Sequence, residues 1–123
     1  MAAGAIAFGN KHMEIQTKRD GNTAVVSVSG RLDAVTAEEY RTAVRVLVET
    51  GATRVVVDLQ ELRYISSTGM SALVLTARWL KEKNGRFGIA SLRESVQSVI
   101  EMCGIGKLVN IYPSVPEALT ELD

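Results

Sequence analysis

The chain is short of the side chains from which most small reactive sites are built. It holds one cysteine and one histidine among 123 residues. A single cysteine, Cys103, excludes an internal disulfide and a cysteine-based metal site. It follows Val96, Val99 and Ile100 on an apolar helical stripe, where the expectation is a buried, inert thiol. The single histidine, His12, ends a leading stretch rich in alanine and glycine, MAAGAIAFGNKH. Histidine catalysis and histidine metal ligation therefore have no foundation, and neither a metal nor another cofactor is expected. Charge of one sign is lacking too. Lys and Arg number 14 and Asp and Glu number 14, so no broad field draws nucleic acid or anionic lipid. No apolar run approaches the roughly 20 residues of a membrane helix. The leading stretch has neither a basic start nor an adequate apolar core for a signal peptide. These absences point to a reducing, cytoplasmic setting without direct nucleic-acid or membrane partners.

What is present is enough for one folded domain. Apolar residues make up 46% of the chain, sufficient for a core at this length. Residues 1–12 read as a flexible N-terminal extension and 13–123 as the domain. Met13 to Thr17 alternates weakly, as a strand does. Arg19-Asp20-Gly21-Asn22 has hairpin-turn chemistry. Ala24 to Ser29, Val55 to Leu59, Arg86 to Ala90 and Leu108 to Tyr112 follow as strands. Val55 to Leu59 is apolar on both faces and therefore central.

Four helices alternate with these strands. Thr36 with Glu39, Ser91 with Glu94 and Ser114 with Glu117 have the spacing of capping boxes. Tyr40, Val44, Leu47 and Val48 give the first helix its apolar face, and Gly51 ends it. Met70, Leu73, Val74 and Ala77 give the second its face, and Asn84-Gly85 stops it. Ala118, Leu119 and Leu122 line the last. The order implies an α/β fold, a mixed and mostly parallel sheet of about five strands with the first antiparallel.

The most informative segment is Val55 to Ser71, VVVDLQELRYISSTGMS. A strand ends in Asp58, and after a connection Ser66, Ser67 and Thr68 open a helix. Backbone N–H groups and the positive end of the helix dipole surround a hydroxyl in such a place. That suits a serine that receives a phosphate, and it equally suits a plain N-cap. Unlike the other three helices, this one has no acid in its first turn, only Thr68, Gly69 and Met70. Gly69 also permits close approach of another backbone or of a nucleotide. Ligands of open α/β sheets gather at the carboxyl ends of strands. There the loop Gly30 to Val35, with Asp33, would lie beside the Ser66-Ser67-Thr68 run.

Two stretches, GRLDAVTAEEYR and VVVDLQELRYISSTGMSAL, resemble the signatures of the STAS domain, in particular the anti-sigma-factor antagonists of bacterial partner switching. The resemblance spans Met13 to Asp123. It implies a single STAS-like domain that binds an anti-sigma factor, itself an ATP-using serine kinase, and so frees a sigma factor. It further implies that the kinase phosphorylates a serine of this protein, driving it off, and that a serine phosphatase restores it. The acceptor position falls on Ser67, with Ser66 as the alternative because it stands where the family usually has Asp. Asp33, Ser66, Ser67, Thr68, Gly69 and Met70 form the implied partner surface, on a monomer or weak dimer.

Another reading is a STAS module that binds a small molecule or nucleotide, as a sensor or an accessory to a transport complex. An enzyme is not expected. The chain has no Gly-x-Ser-x-Gly elbow and no usable histidine base, and Asp58 has no second acid converging on it. Leu75 and Trp79 suit core packing or a contact patch. Arg63, Arg78, Lys81 and Lys83 suit solvated charges or a phosphate clamp.

Overall fold

The computed structural model describes residues 3–9 and 12–122, the first of these segments by its backbone alone. Seven strands and four helices follow in the order β1 (Ala3–Gly9), β2 (Met13–Asp20), β3 (Thr23–Leu32), α1 (Ala37–Glu49), β4 (Arg54–Asp58), β5 (Leu62–Ile65), α2 (Ser67–Glu82), β6 (Arg86–Ala90), α3 (Glu94–Met102), β7 (Asn110–Tyr112) and α4 (Val115–Glu121). A 3-10 turn, Ile105–Lys107, sits between α3 and β7. The sheet runs β1-β2-β3-β4-β6-β7, and β5 continues the pairing along the far end of β3. The β1–β2 and β2–β3 pairs are antiparallel and the others parallel.

Alternation along the strands sorts side chains to two faces. Val55 and Val57 of β4 join the larger core, with Tyr40, Ala43, Val44 and Leu47 of α1, Leu73 and Leu80 of α2, and Val96 and Ile100 of α3. Val56 points the other way and packs with Ala90 and with Ala118 and Leu122 of α4. Two apolar faces explain why β4 reads as an unbroken apolar run. Inside the larger core the Tyr40 hydroxyl lies 2.9 Å from Thr76 Oγ1, and Thr76 donates in turn to the Ala72 carbonyl at 2.7 Å. No helix among the described residues is long and apolar enough to cross a membrane.

The structure corrects several expectations. Residues Ala3–Gly9, expected to belong to a flexible extension, pair with β2 from Ala3↔Arg19 to Gly9↔Glu14. Alanine and glycine are weak strand formers, so composition hid this strand; backbone pairing along the free edge of β2 provides it instead. Residues 1–2 and 10–11, the rest of that stretch, lie outside the described residues, as does residue 123. The count of strands rises from about five to seven because β5 also escaped notice. Its burial runs buried, exposed, exposed, buried, without the period of two that marks a strand.

Of the three expected capping boxes, only the Ser114 side-chain cap forms. Ser114 accepts the Glu117 amide at 3.3 Å as expected. Thr36 instead turns its hydroxyl to the Arg31 carbonyl at 2.8 Å. Ser91 has a left-handed backbone (φ 64°), and α3 starts after Arg93, whose guanidinium is held by the Gln60 carbonyl at 2.7 Å and Glu61 at 2.9 Å. Cys103 is exposed rather than buried. The chain leaves α3 through the left-handed Gly104 (φ 73°), and Ile105 supplies the buried contact that the helical spacing assigned to Cys103.

Candidate functional site

The two loops singled out in the sequence are neighbours because β5 pairs with the end of β3. Leu32 is registered on Ile65 and both strands end there, so Asp33 and Ser66 are the residues that directly follow the two paired strands. The Ser66 amide donates to the Leu32 carbonyl at 3.0 Å. That bond turns the chain straight from β5 into α2.

Each hydroxyl at this turn has its own place. Ser66 is the N-cap of α2, and its side chain accepts the Gly69 amide at 3.2 Å. Ser67 is the first helical residue and is exposed, and its hydroxyl has no partner among the described residues. Thr68 is exposed beside it. The first turn of α2 holds no acidic residue, so no carboxylate of its own offsets the partial positive charge of the helix start. The sequence left cap and acceptor open between Ser66 and Ser67; the fold gives the cap to Ser66.

Gly69 and Met70 differ from what was expected of a contact surface. Gly69 is buried, and the backbone that approaches it is the chain's own. A side chain there would collide with the Leu32 carbonyl oxygen and meet its carbon at 2.9 Å. Met70 is 7% exposed and packs into the core. It reaches the surface only as part of the floor of an apolar depression shared with Ser67, Val74, Leu75, Ile105 and Leu108. Cys103 stands at the same depression.

Asp33 is drawn into the start of α1. Its Oδ1 accepts the Val35 amide at 3.0 Å and the Thr36 amide at 3.2 Å, and Oδ2 meets Arg31 Nε at 3.4 Å. Burial works to raise its pKa. The N–H groups of Thr36 and Val35, together with Arg31, outweigh that effect and hold the carboxyl below the usual carboxylate range. The Asp33 carboxylate thus braces the turn that leads into α1, whose N-cap is Thr36.

Side chains that periodicity did not bring forward complete the surface. Arg31 stacks 4.4 Å above the centre of the Tyr64 ring, from the register position directly opposite on the neighbouring strand. Tyr64 is 44% exposed and Val35, next to Asp33, is 75% exposed. No local pattern signals them, because their position depends on β5 pairing with β3. The end of the sheet therefore presents Val35, Asp33, the Arg31–Tyr64 stack, Ser67 and Thr68. Among the described residues no group of three or more His, Cys, Asp or Glu side chains is placed to hold a metal ion.

Comparison with known proteins identifies the family of the fold. The sequence model of the STAS domain matches residues 14–118. An anti-sigma F factor antagonist from Paenibacillus polymyxa is 23% identical over 113 residues, covering 91% of this chain and 97% of that protein. The crystal structure of an anti-sigma factor antagonist from Mycobacterium paratuberculosis superposes with a TM-score of 0.80 at 28% identity, covering 89% of this chain and 93% of that one. The Bacillus cell fate determinant SpoIIAA in its phosphorylated form shares the fold, with a TM-score of 0.68 at 21% identity over 89% of this chain and 99% of that one. Fold, paired loops and sequence match lead to one assignment: the chain belongs to the STAS domain family.

Proposed function

We propose that this protein is an anti-sigma-factor antagonist. It binds an anti-sigma factor that is also a serine kinase, and so frees a sigma factor. Phosphorylation of Ser67 by that kinase ends the complex, and a serine phosphatase restores it. The observation that carries the reading is the exposed, unpartnered Ser67 at the acid-free start of α2. Relatives named as anti-sigma factor antagonists support the binding role, and the phosphorylated form of SpoIIAA supports the switch.

The chemistry of a switch follows from the position. A phosphoserine adds about −1.5 to −2 charges at neutral pH. At a helix start those charges meet N–H groups, worth roughly 0.3–2 kcal/mol in favour of the modified fold. A partner seated on the same tip would have to desolvate an unpaired dianion, a loss of several kcal/mol. Each ~1.4 kcal/mol is a factor of ten in affinity, so one phosphate releases the partner without unfolding the domain. Serine at position 66, where the family usually has Asp, keeps the N-cap and places no fixed negative charge beside the phosphate.

The test is incubation with the cognate kinase and ATP, with the phosphate mapped by mass spectrometry. Modification at Ser67, abolished by Ser67→Ala, is the expected result, with partner affinity falling at least about a hundredfold at an unchanged or slightly raised melting temperature. A phosphate on Ser66, no phosphate at all, or a sharp fall in melting temperature with a proportionate loss of affinity overturns the proposal.

A further inference from the structure

A groove runs between α1 and α2, further along α2 from Ser67. Its floor is apolar. Val44 and Ala72 are buried, Leu75 is 48% exposed, and Trp79 is half-buried. Its rims are cationic. Arg41 and Arg45 stand one turn apart on α1, and Arg78 stands on α2 next to Trp79. Arg41 reaches Glu38 at 3.5 Å, a long and exposed contact. Arg45 and Arg78 have no ion pair or hydrogen bond among the described residues. Glu82 is the sole acid among the groove's lining residues. Arginines four apart on a helix repel one another, and a third lines the opposite rim. The whole chain has a formal net charge of zero, so this excess of positive charge around an apolar strip is local.

We propose that the groove docks an acidic segment of a partner protein. The segment seats an apolar side chain on Leu75 and Trp79 and sets carboxylates against Arg45 and Arg78. Charge complementarity selects that occupant. Guanidinium groups take carboxylates bidentately, and tryptophan and arginine are the side chains that most often carry binding energy at interfaces. The groove lies open along two helices and does not close around a ligand, a shape that suits an extended segment better than a nucleotide. Leu75 also borders the depression beside Ser67, so a partner seated on the tip can continue into the groove. The proposal does not depend on phosphorylation.

Trp79 is the single tryptophan of the chain, and its emission reports the groove directly. The probe is a short synthetic peptide with one Leu and one Phe flanked by Asp and Glu, compared with the same peptide carrying Asn and Gln. Full-length protein is expected to show a saturable emission shift, with affinity at least about tenfold higher for the acidic peptide. Salt weakens that binding, and so does the double substitution Arg45→Gln with Arg78→Gln at an unchanged melting temperature. Ser67→Ala leaves it unchanged, which separates this groove from the switch. Equal affinity for the two peptides, full binding by the double variant, or no saturable shift overturns the proposal. A tighter saturable shift with ATP than with the acidic peptide assigns the groove to a nucleotide and overturns it as well.

Discussion

The carbonyl of Leu32 occupies the space that a side chain on Gly69 would need. The same oxygen accepts the Ser66 amide at 3.0 Å, so the end of β3 and the first turn of α2 are held together at one atom. Helix propensity alone makes Gly69→Ala stabilising by about 1 kcal/mol. The contact with Leu32 reverses the sign: the substitution should destabilise by about 1–3 kcal/mol, as other overpacked sites do. Urea denaturation measures it, and a variant more stable than the parent would contradict the close approach.

Ser66 and Ser67 should separate by stability. Ser66→Ala removes the acceptor for the Gly69 amide and should cost about 1 kcal/mol, the usual loss of an N-cap. Ser67→Ala removes an exposed hydroxyl and should stay within about 0.5 kcal/mol of the parent. Equal losses at both positions would mean that the cap is shared.

Asp33 should make stability depend on acid. Its folded pKa lies below the usual carboxylate range, so its contribution is full above the unfolded pKa and is lost as pH falls through the folded one. Asp33→Asn keeps an acceptor for the amides of Val35 and Thr36 but loses the charge paired with Arg31. The parent should therefore be the more stable of the two at neutral pH, and the difference should vanish in acid. Parallel denaturation curves across that range test it; a difference that grows on acidification would reverse the sign.

The buried Tyr40–Thr76 pair should respond unequally to substitution. Thr76 donates its proton to the Ala72 carbonyl, so Tyr40 donates to Thr76. Tyr40→Phe orphans no donor and should cost about 0.5–1.5 kcal/mol. Thr76→Val leaves the Tyr40 hydroxyl buried without a partner and should cost about 1–3 kcal/mol. Burial also drives the Tyr40 pKa well above its ordinary value, although its bond to Thr76 opposes this. The stability that comes from keeping this phenol neutral is full below the unfolded pKa and falls as pH rises toward the folded one. Tyrosinate absorbance from Tyr40, isolated by difference from Tyr40→Phe, should appear only as the domain unfolds.

Much of this architecture was legible in local pattern. The unbroken apolar run of β4, the helical spacing of Tyr40, Val44 and Leu47, and the N-cap at Ser114 all read correctly because each depends on near neighbours. Ser91 did not. Its hydroxyl has the right spacing to Glu94, yet its amide is taken by the Tyr112 carbonyl at 3.2 Å on a distant strand, and its backbone turns left-handed. Cys103 misled because helical spacing carries the stripe of α3 onward, whereas the helix ends at Met102 and Cys103 is its C-cap, with the left-handed Gly104 turning the chain away directly after it.

The candidate site divides in the same way. Three successive hydroxyls, the glycine behind them and the missing first-turn acid are properties of the sequence, and they were enough to select a helix start; the acceptor candidate, Ser67, came from the resemblance to the STAS signatures. Which hydroxyl caps and which stands exposed depended on where α2 begins, and the Leu32–Ser66 bond sets that. The placement of Asp33, Val35 and the Arg31–Tyr64 stack beside Ser67 was likewise a decision of tertiary structure. It rests on hydrogen bonds between strands some thirty residues apart in the chain, and short-range periodicity carries no information about such pairings.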